Sequence, residues 1–314
     1  MVSRNLQNDN NQQLIAVSGA AGSLGQLLVR KIHRIYPLIS MDSRTFNNRP
    51  ADVKHYQAEL AAKKTRNKFR QRKIHTVIHI ETRRATSTSE TATFTRAIKN
   101  YTKLLENCDR YDVKKLILLS SADLYGALPS NSQFLTEESP LLSAEMSALR
   151  DIDMMTQSFF WKRPDIETVI LRPAHITGQV NGLLNQYLRL PAIPVLFGFD
   201  PMFQLVHEQD VVSSIMLALQ KNIRGIFNIA GPKPVPLKTI IKTLGRSTVE
   251  IPHPLAKPVL RHLNKLNIPG HMNPAHINYL RYVCMVDDLR ARKELGYQPG
   301  YNLLETIHAV DTWQ

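Results

Sequence analysis

The chain is poor in cysteine, has no long apolar run and shows no metal-binding spacing, and each lack excludes a class of protein. Two cysteines in 314 residues, Cys108 and Cys284, build neither a disulfide framework nor a zinc ribbon, and so suit a reducing, cytoplasmic setting. No run of about 18 apolar residues exists to span a bilayer. Residues 1–13 form an Asn/Gln-rich polar tail without the apolar core of a secretory signal. His175, His207, His253, His262, His271 and His276 are dispersed, with no i, i+4 pair and no carboxylate at ligand spacing, so no metal site is expected. His207 reads as a structural histidine. No Gly-x-Ser-x-Gly elbow, Cys/His dyad or P-loop is present, which removes local support for hydrolase or kinase chemistry.

What is present is a globular composition, 43% hydrophobic and 21% charged, with a formal charge of +14 that favours anionic partners. Seven of the eleven residues from Lys63 to Lys73 are basic and none is acidic. Such a run is expected to be the solvated face of a helix, with nucleic-acid binding as the alternative.

Apolar runs at Leu14 to Val17, Leu38 to Met41, Thr76 to Ile80, Lys115 to Leu119, Thr168 to Leu171 and Ile226 to Ile229 read as buried strands. Helical periodicity separates them, as at Ala92 to Cys108 and Leu149 to Phe160, which predicts an α/β fold with a doubly wound parallel sheet. After Arg172-Pro173, prolines interrupt the alternation repeatedly, which predicts a smaller, irregular second lobe. The expected boundaries are 1–13 for the tail, 14–175 for the first lobe with 205–230 returning to it, and 176–204 with 231–314 for the second.

Gly19, Gly22 and Gly25 follow the first strand and open the first helix. Small residues there let a backbone approach a pyrophosphate, which then sits on the helix N-terminus. A glycine turn needed only for tight packing is the competing explanation. Asp42, 23 residues after Gly19 at the end of the second strand, is placed to accept ribose hydroxyls, which points to NAD. Arg44 could instead meet a 2′-phosphate, which keeps NADP open.

The runs Gly19-Ala20-Ala21-Gly22-Ser23-Leu24-Gly25, Ser120-Ser121-Ala122-Asp123-Leu124-Tyr125-Gly126, Leu171-Arg172-Pro173, Gln204 to Val211, Phe227 to Pro232 and Ala291 to Pro299 together resemble the extended short-chain dehydrogenase/reductases, the NAD-dependent epimerases and dehydratases of sugar nucleotides. The resemblance runs from about Leu14 to about Ile307. It implies a doubly wound Rossmann domain, an NAD(P) cofactor, a smaller C-terminal substrate lobe and an anionic, nucleotide-linked sugar as substrate. It also implies a homodimer formed through two helices, here Ala92 to Cys108 and Leu149 to Phe160. The cofactor contacts it implies are Gly19, Ala21, Gly22, Ser23, Leu24, Gly25, Asp42, Arg44, Glu59, Leu60, Ile80, Glu81, Ser120, Arg150 and Pro173. Glu81 is a departure, because a carboxylate beside a pyrophosphate is repulsive unless Arg83 or Arg84 neutralises it.

In that family a Ser or Thr, a Tyr and a Lys four residues after the Tyr carry the chemistry. The serine maps to Ser121, but the next two positions hold Met146 and Arg150. A thioether has no transferable proton, and a guanidinium stays protonated while still donating to ribose hydroxyls. Dinucleotide binding is therefore expected to outlast the usual proton transfer, leaving turnover weak or carried by a substitute base. Asp123, Glu145 and Tyr125 are the candidates for that base. The alternative is a non-catalytic dinucleotide-sensing regulator or scaffold.

Overall fold

The computed structural model describes residues 13–80, 90–143, 146–180, 182–258 and 274–312. Glu81 and Glu145 lie outside that set, as do His262 and His271. The described residues divide into two compact units. One comprises the residues up to Ser120 with Ser147–Leu171 and Ala218–Ile226, and the other the remainder.

Seven strands form one parallel sheet: β1 (Leu14–Ser18), β2 (Leu38–Asp42), β3 (Lys54–Gln57), β4 (Ile74–Ile80), β5 (Lys115–Leu119), β6 (Glu167–Pro173) and β11 (Gly225–Ile229). Their order is β11-β6-β5-β4-β1-β2-β3. β2 and β5 are buried at every position and β1 at four of five, as expected of parallel strands covered on both faces. The chain leaves β1 toward β2 on one side and returns to β4 on the other, so Ala16 lies opposite both Ile39 and Val77. In an open sheet, that reversal opens a crevice beyond the strand ends. The apolar runs anticipated every strand of this sheet except β3, whose residues Lys-His-Tyr-Gln carry no apolar signal. Its place at the sheet edge explains why a half-exposed tetrapeptide suffices there.

Four helices belong to the first unit. α1 (Ser23–Ile32), α2 (Lys63–Gln71), α3 (Glu90–Arg110) and α4 (Ser147–Lys162) follow β1, β3, β4 and β5 in the chain. Leu104 and Cys108 of α3, Ile152 of α4 and Phe69 of α2 meet Val77, Leu116 and Leu118 of the sheet in one core. Burial pushes the Cys108 thiol up to about 12, so it behaves as a small apolar side chain and not as a redox group. In α2 the buried residues are Thr65 and Phe69, one turn apart. Lys63, Lys64, Arg66 and Arg70 face solvent, and Lys68 lies 4.7 Å above the Tyr56 ring.

Lys115 is a charged exception inside the sheet. Its side chain is 5% exposed and pairs with Glu167 at 2.8 Å. Its Nζ also donates to the carbonyls of Ala218, Leu219 and Lys221 at 3.1, 3.3 and 2.6 Å. Those carbonyls lie at and just past the C-terminal end of a helix (Glu208–Gln220), where a cation satisfies groups that have no partner within the helix and complements its dipole.

The second unit is built from short pairs. β7 (His175–Thr177) runs parallel to β10 (Leu205–His207), β8 (Ala192–Leu196) parallel to β13 (Ser247–Ile251), and β9 (Met202–Phe203) antiparallel to β12 (Val235–Pro236). Where strands are this short, side chains substitute for ladder bonds. Gln204 accepts from the Val286 amide at 2.8 Å and donates to the Val286 carbonyl at 3.1 Å. Among the described residues no helix is long and apolar enough to cross a membrane, and no three His, Cys, Asp or Glu side chains are grouped to hold a metal ion.

Because Phe69 is the only large apolar anchor of α2, Phe69→Ala should destabilise the protein by about 3–5 kcal/mol in urea unfolding. Paired Lys63→Ala and Lys64→Ala should stay within about 0.5 kcal/mol each.

Candidate functional site

Geometry at the end of β1 is set by a close backbone approach. Gly19 has a φ of +76°, and a Cβ built on it would lie 1.9 Å from the Ile80 carbonyl oxygen at the end of β4. Gly25 in α1 is equally restricted, since its Cβ would lie 2.4 Å from the Gly19 carbonyl oxygen. Only glycine satisfies both positions. Ser18, the last residue of β1, bonds His79 Nδ1 at 2.7 Å, and the His79 ring packs at 4.9 Å from that of Tyr101. The turn is thereby tied to β4 and α3.

α1 starts at Gly22, which is extended and offers no side-chain cap, and its first turn holds no acidic residue. The first N–H groups of the helix therefore have no side-chain acceptor, and the positive end of the dipole is uncompensated. The Asp42 carboxylate is fully engaged. It accepts from the Ala21 amide at 3.0 Å, from the Arg44 amide at 2.9 Å, and from Arg44 Nε and Nη2 at 3.0 and 2.9 Å. Burial pushes this carboxyl up, but the hydrogen bonds and charge of Arg44, with the Ala21 amide, outweigh it and hold it below the ordinary carboxylate range. The stability from this pairing is thus present at neutral pH and is lost as pH falls through the lowered value. Glu59 accepts from Asn100 Nδ2, whose Oδ1 accepts from the Ala61 amide at 2.9 Å, so Glu59 and Leu60 are clamped at the start of α2.

The two serines after β5 are used differently. Ser120 is buried and donates to Asp153 Oδ2 at 2.6 Å. Ser121 caps a short 3-10 turn (Ala122–Tyr125), its Oγ accepting from the Asp123 amide at 3.2 Å. Tyr125 is 1% exposed, and its hydroxyl donates to Asn228 Oδ1 and accepts from Arg172 Nη1, both at 2.9 Å. Burial pushes its phenol up to about 12 against the pull of Arg172, so it exchanges no proton near neutral pH. Met146 is 6% exposed, just ahead of α4. Arg150, in the first turn of α4, has its side chain 31% exposed, with Nε 3.7 Å from Asp151 Oδ1. Pro173 is buried at the end of β6.

Asp123 pairs with a residue that local spacing did not single out. His175 Nδ1 lies 3.2 Å from Asp123 Oδ1, the two side chains being 14% and 22% exposed. The His175 ring lies 5.3 Å from the ring of Phe203 and 5.7 Å from that of Tyr279. Tyr279 in turn donates to the Asp123 carbonyl at 3.1 Å. His207, by contrast, is stacked at 3.7 Å on Tyr301, and its Nδ1 accepts from the Gln209 amide at 3.1 Å. Burial also pushes the His207 ring toward its neutral form, against the pull of Asp210 and Glu305. The sequence separates Asp123 from His175 by 52 positions, so no motif could report the pair.

A profile of the NAD dependent epimerase/dehydratase family matches residues 15–230. The chain belongs to that family. Among curated proteins, uncharacterized proteins of Mycobacterium tuberculosis (strain H37Rv) and Mycobacterium bovis are each 27% identical, with 94% of this chain and 82% of the relative covered. Among solved structures, UDP-glucose 4-epimerase of Thermotoga maritima, crystallised with UDP-glucose, has a TM-score of 0.75 at 20% identity, covering 96% of this chain and 98% of that one. dTDP-glucose 4,6-dehydratase of Bacillus anthracis, in complex with NAD, has a TM-score of 0.72 at 16% identity, covering 96% of both chains. These structures share the fold of this family member.

The cradle around Gly19 fits a pyridine dinucleotide. Gly19 and Gly25 let β1, β4 and α1 close up on one another, and the uncapped helix start that results, without acidic residues, suits a pyrophosphate. Gly19→Ala should cost about 3 kcal/mol or more in chemical unfolding, from backbone strain and the clash with Ile80. Tyr125→Phe, which strips the buried Asn228 and Arg172 of a partner, should cost about 1–3 kcal/mol.

Proposed function

We propose that this family member binds NAD and acts on a nucleotide-linked sugar, with proton transfer carried by a group other than the tyrosine phenol that the resemblance leads one to expect. The observation that carries the reading is the identity of position 146: a buried methionine offers no proton to give or take. Arg150 keeps a donor where a lysine would bind the nicotinamide ribose, so cofactor binding and proton transfer are separated in this chain. When bound, NAD supplies the oxidant and reductant for a carbon–hydrogen centre of the sugar. Gly19, Gly22 and Gly25 with the start of α1 would take the pyrophosphate, and the pair Asp42–Arg44 the adenosine ribose. Ser121 would hold the reacting hydroxyl.

Asp42 and Arg44 decide between the two dinucleotides. A carboxylate has about four lone-pair positions, and the four donors already on Asp42 occupy them. A ribose hydroxyl must therefore displace part of Arg44 or bond to its guanidinium. Arg44 also screens the carboxylate, which weakens the repulsion that would turn away a 2′-phosphate.

Calorimetric titration should give saturable NAD binding, and no binding at millimolar NAD or NADH would refute the proposal. Arg44→Ala should lower NADP affinity by about tenfold or more while leaving NAD affinity within about threefold, because the carboxylate is then unscreened. Met146→Tyr combined with Arg150→Lys should raise sugar-nucleotide turnover by about 100-fold, read as conversion of the nucleotide sugar by chromatography.

A further inference from the structure

The second unit holds a carboxylate–imidazole pair, Asp123 and His175. His175 Nδ1 faces Asp123 Oδ1 at 3.2 Å, and the Asp123 amide bonds the Ser121 hydroxyl oxygen at 3.2 Å. A two-residue step therefore connects the serine that would hold the reacting hydroxyl to an oriented imidazole. Resting on the NAD and sugar-nucleotide reading above, we propose that His175, oriented by Asp123, is the acid/base that replaces the missing phenol, acting on a secondary hydroxyl of a nucleotide-linked sugar held at Ser121.

Three features carry this assignment. A carboxylate 3.2 Å from Nδ1 favours the proton on that nitrogen, which leaves the Nε2 lone pair as the basic site. Nε2 has no partner among the described residues, and the Asp123 carbonyl beside the pair is taken by the Tyr279 hydroxyl. The ring is held between Phe203 and Tyr279, so it is oriented without being sealed, with 14% of the side chain still exposed. Another imidazole of this unit, His207, has its face covered by Tyr301 and its Nδ1 lone pair engaged by an amide, which is the arrangement of a structural histidine. An imidazole whose second nitrogen is held by a carboxylate is the arrangement that general-base catalysis uses elsewhere.

The substrate O–H bond breaks and its proton goes to His175 Nε2. The adjacent C–H bond breaks and its hydrogen leaves with the electron pair to the oxidant, a pyridine dinucleotide. The oxygen's remaining electron pair forms the carbonyl, and the Asp123 carboxylate stabilises the imidazolium. The reverse returns the same proton and reduces the carbonyl.

Wild type, His175→Gln and Asp123→Asn are compared in three measurements, after circular dichroism has shown each to be folded. NAD titration comes first: all three should bind within about threefold of one another, because neither side chain belongs to the cradle. Failure of wild type to bind refutes the underlying reading, and the inference with it. Conversion of UDP-glucose, dTDP-glucose and UDP-glucuronic acid is then followed by chromatography of the nucleotide sugars. His175→Gln should lose about 100-fold or more and Asp123→Asn about tenfold or more. With NAD bound, retained turnover in His175→Gln, or none in wild type with any probe, overturns the inference alone. The third readout needs no turnover: carbethoxylation by diethyl pyrocarbonate, mapped by mass spectrometry, should label His175 in wild type and slow by about fivefold or more in Asp123→Asn. An unreactive His175, or one indifferent to Asp123, also overturns it.

Discussion

The close approach of Gly19 to the Ile80 carbonyl governs the first unit. β1 and β4 are adjacent in the sheet, and the chain must turn from β1 into α1 beneath the end of β4. A side chain at Gly19 would force the two strand ends apart. Its absence lets α1 start close to the sheet, brings the Ala21 amide to Asp42 and leaves the first N–H groups of the helix without an acceptor. Those consequences assemble one cradle from the end of β1, the start of α1 and the end of β2.

The second unit follows a different rule, since two of its three strand pairs are only two or three residues long. Order comes from side chains that act as backbone: Gln204 on both groups of Val286, Asn228 on the Leu135 carbonyl, and Glu137 on the Asn228 amide. The Ser121-to-Tyr125 turn is held between this scaffold and Tyr279. A rigid frame around Asp123 and His175 is what a proton-transfer pair needs, because misdirection by a fraction of an ångström weakens it.

The sheet was legible from apolar runs because parallel strands are buried on both faces and therefore apolar throughout. β3 was not, since an edge strand needs no such run and Lys-His-Tyr-Gln carries none. In the site, the glycines and Asp42 could be read from spacing, because the turn that uses them is local. The saturation of Asp42 by Arg44 could not, although the two residues are only two apart, since it depends on how the Arg44 chain folds back. Asp123 was among the candidate bases, but its histidine comes from another strand. Tyr125, also a candidate by position, is shown by the structure to have both its proton and its lone pair committed inside the unit.

Arg172 illustrates how far such commitments reach. Its guanidinium, 1% exposed, donates to the Tyr125 hydroxyl and the Glu137 carbonyl, while Tyr125 donates to Asn228 and the Asn228 amide returns to the Glu137 carboxylate. The four residues form a closed circuit in which every donor's acceptor is another member's support. Altering the Arg172 or Tyr125 side chain takes a partner from two others away from water, altering Asn228 takes one from Tyr125, and altering Glu137 takes one from the Asn228 amide. Descendants of this chain should therefore inherit the quartet as a block, even as the basic surface drifts freely.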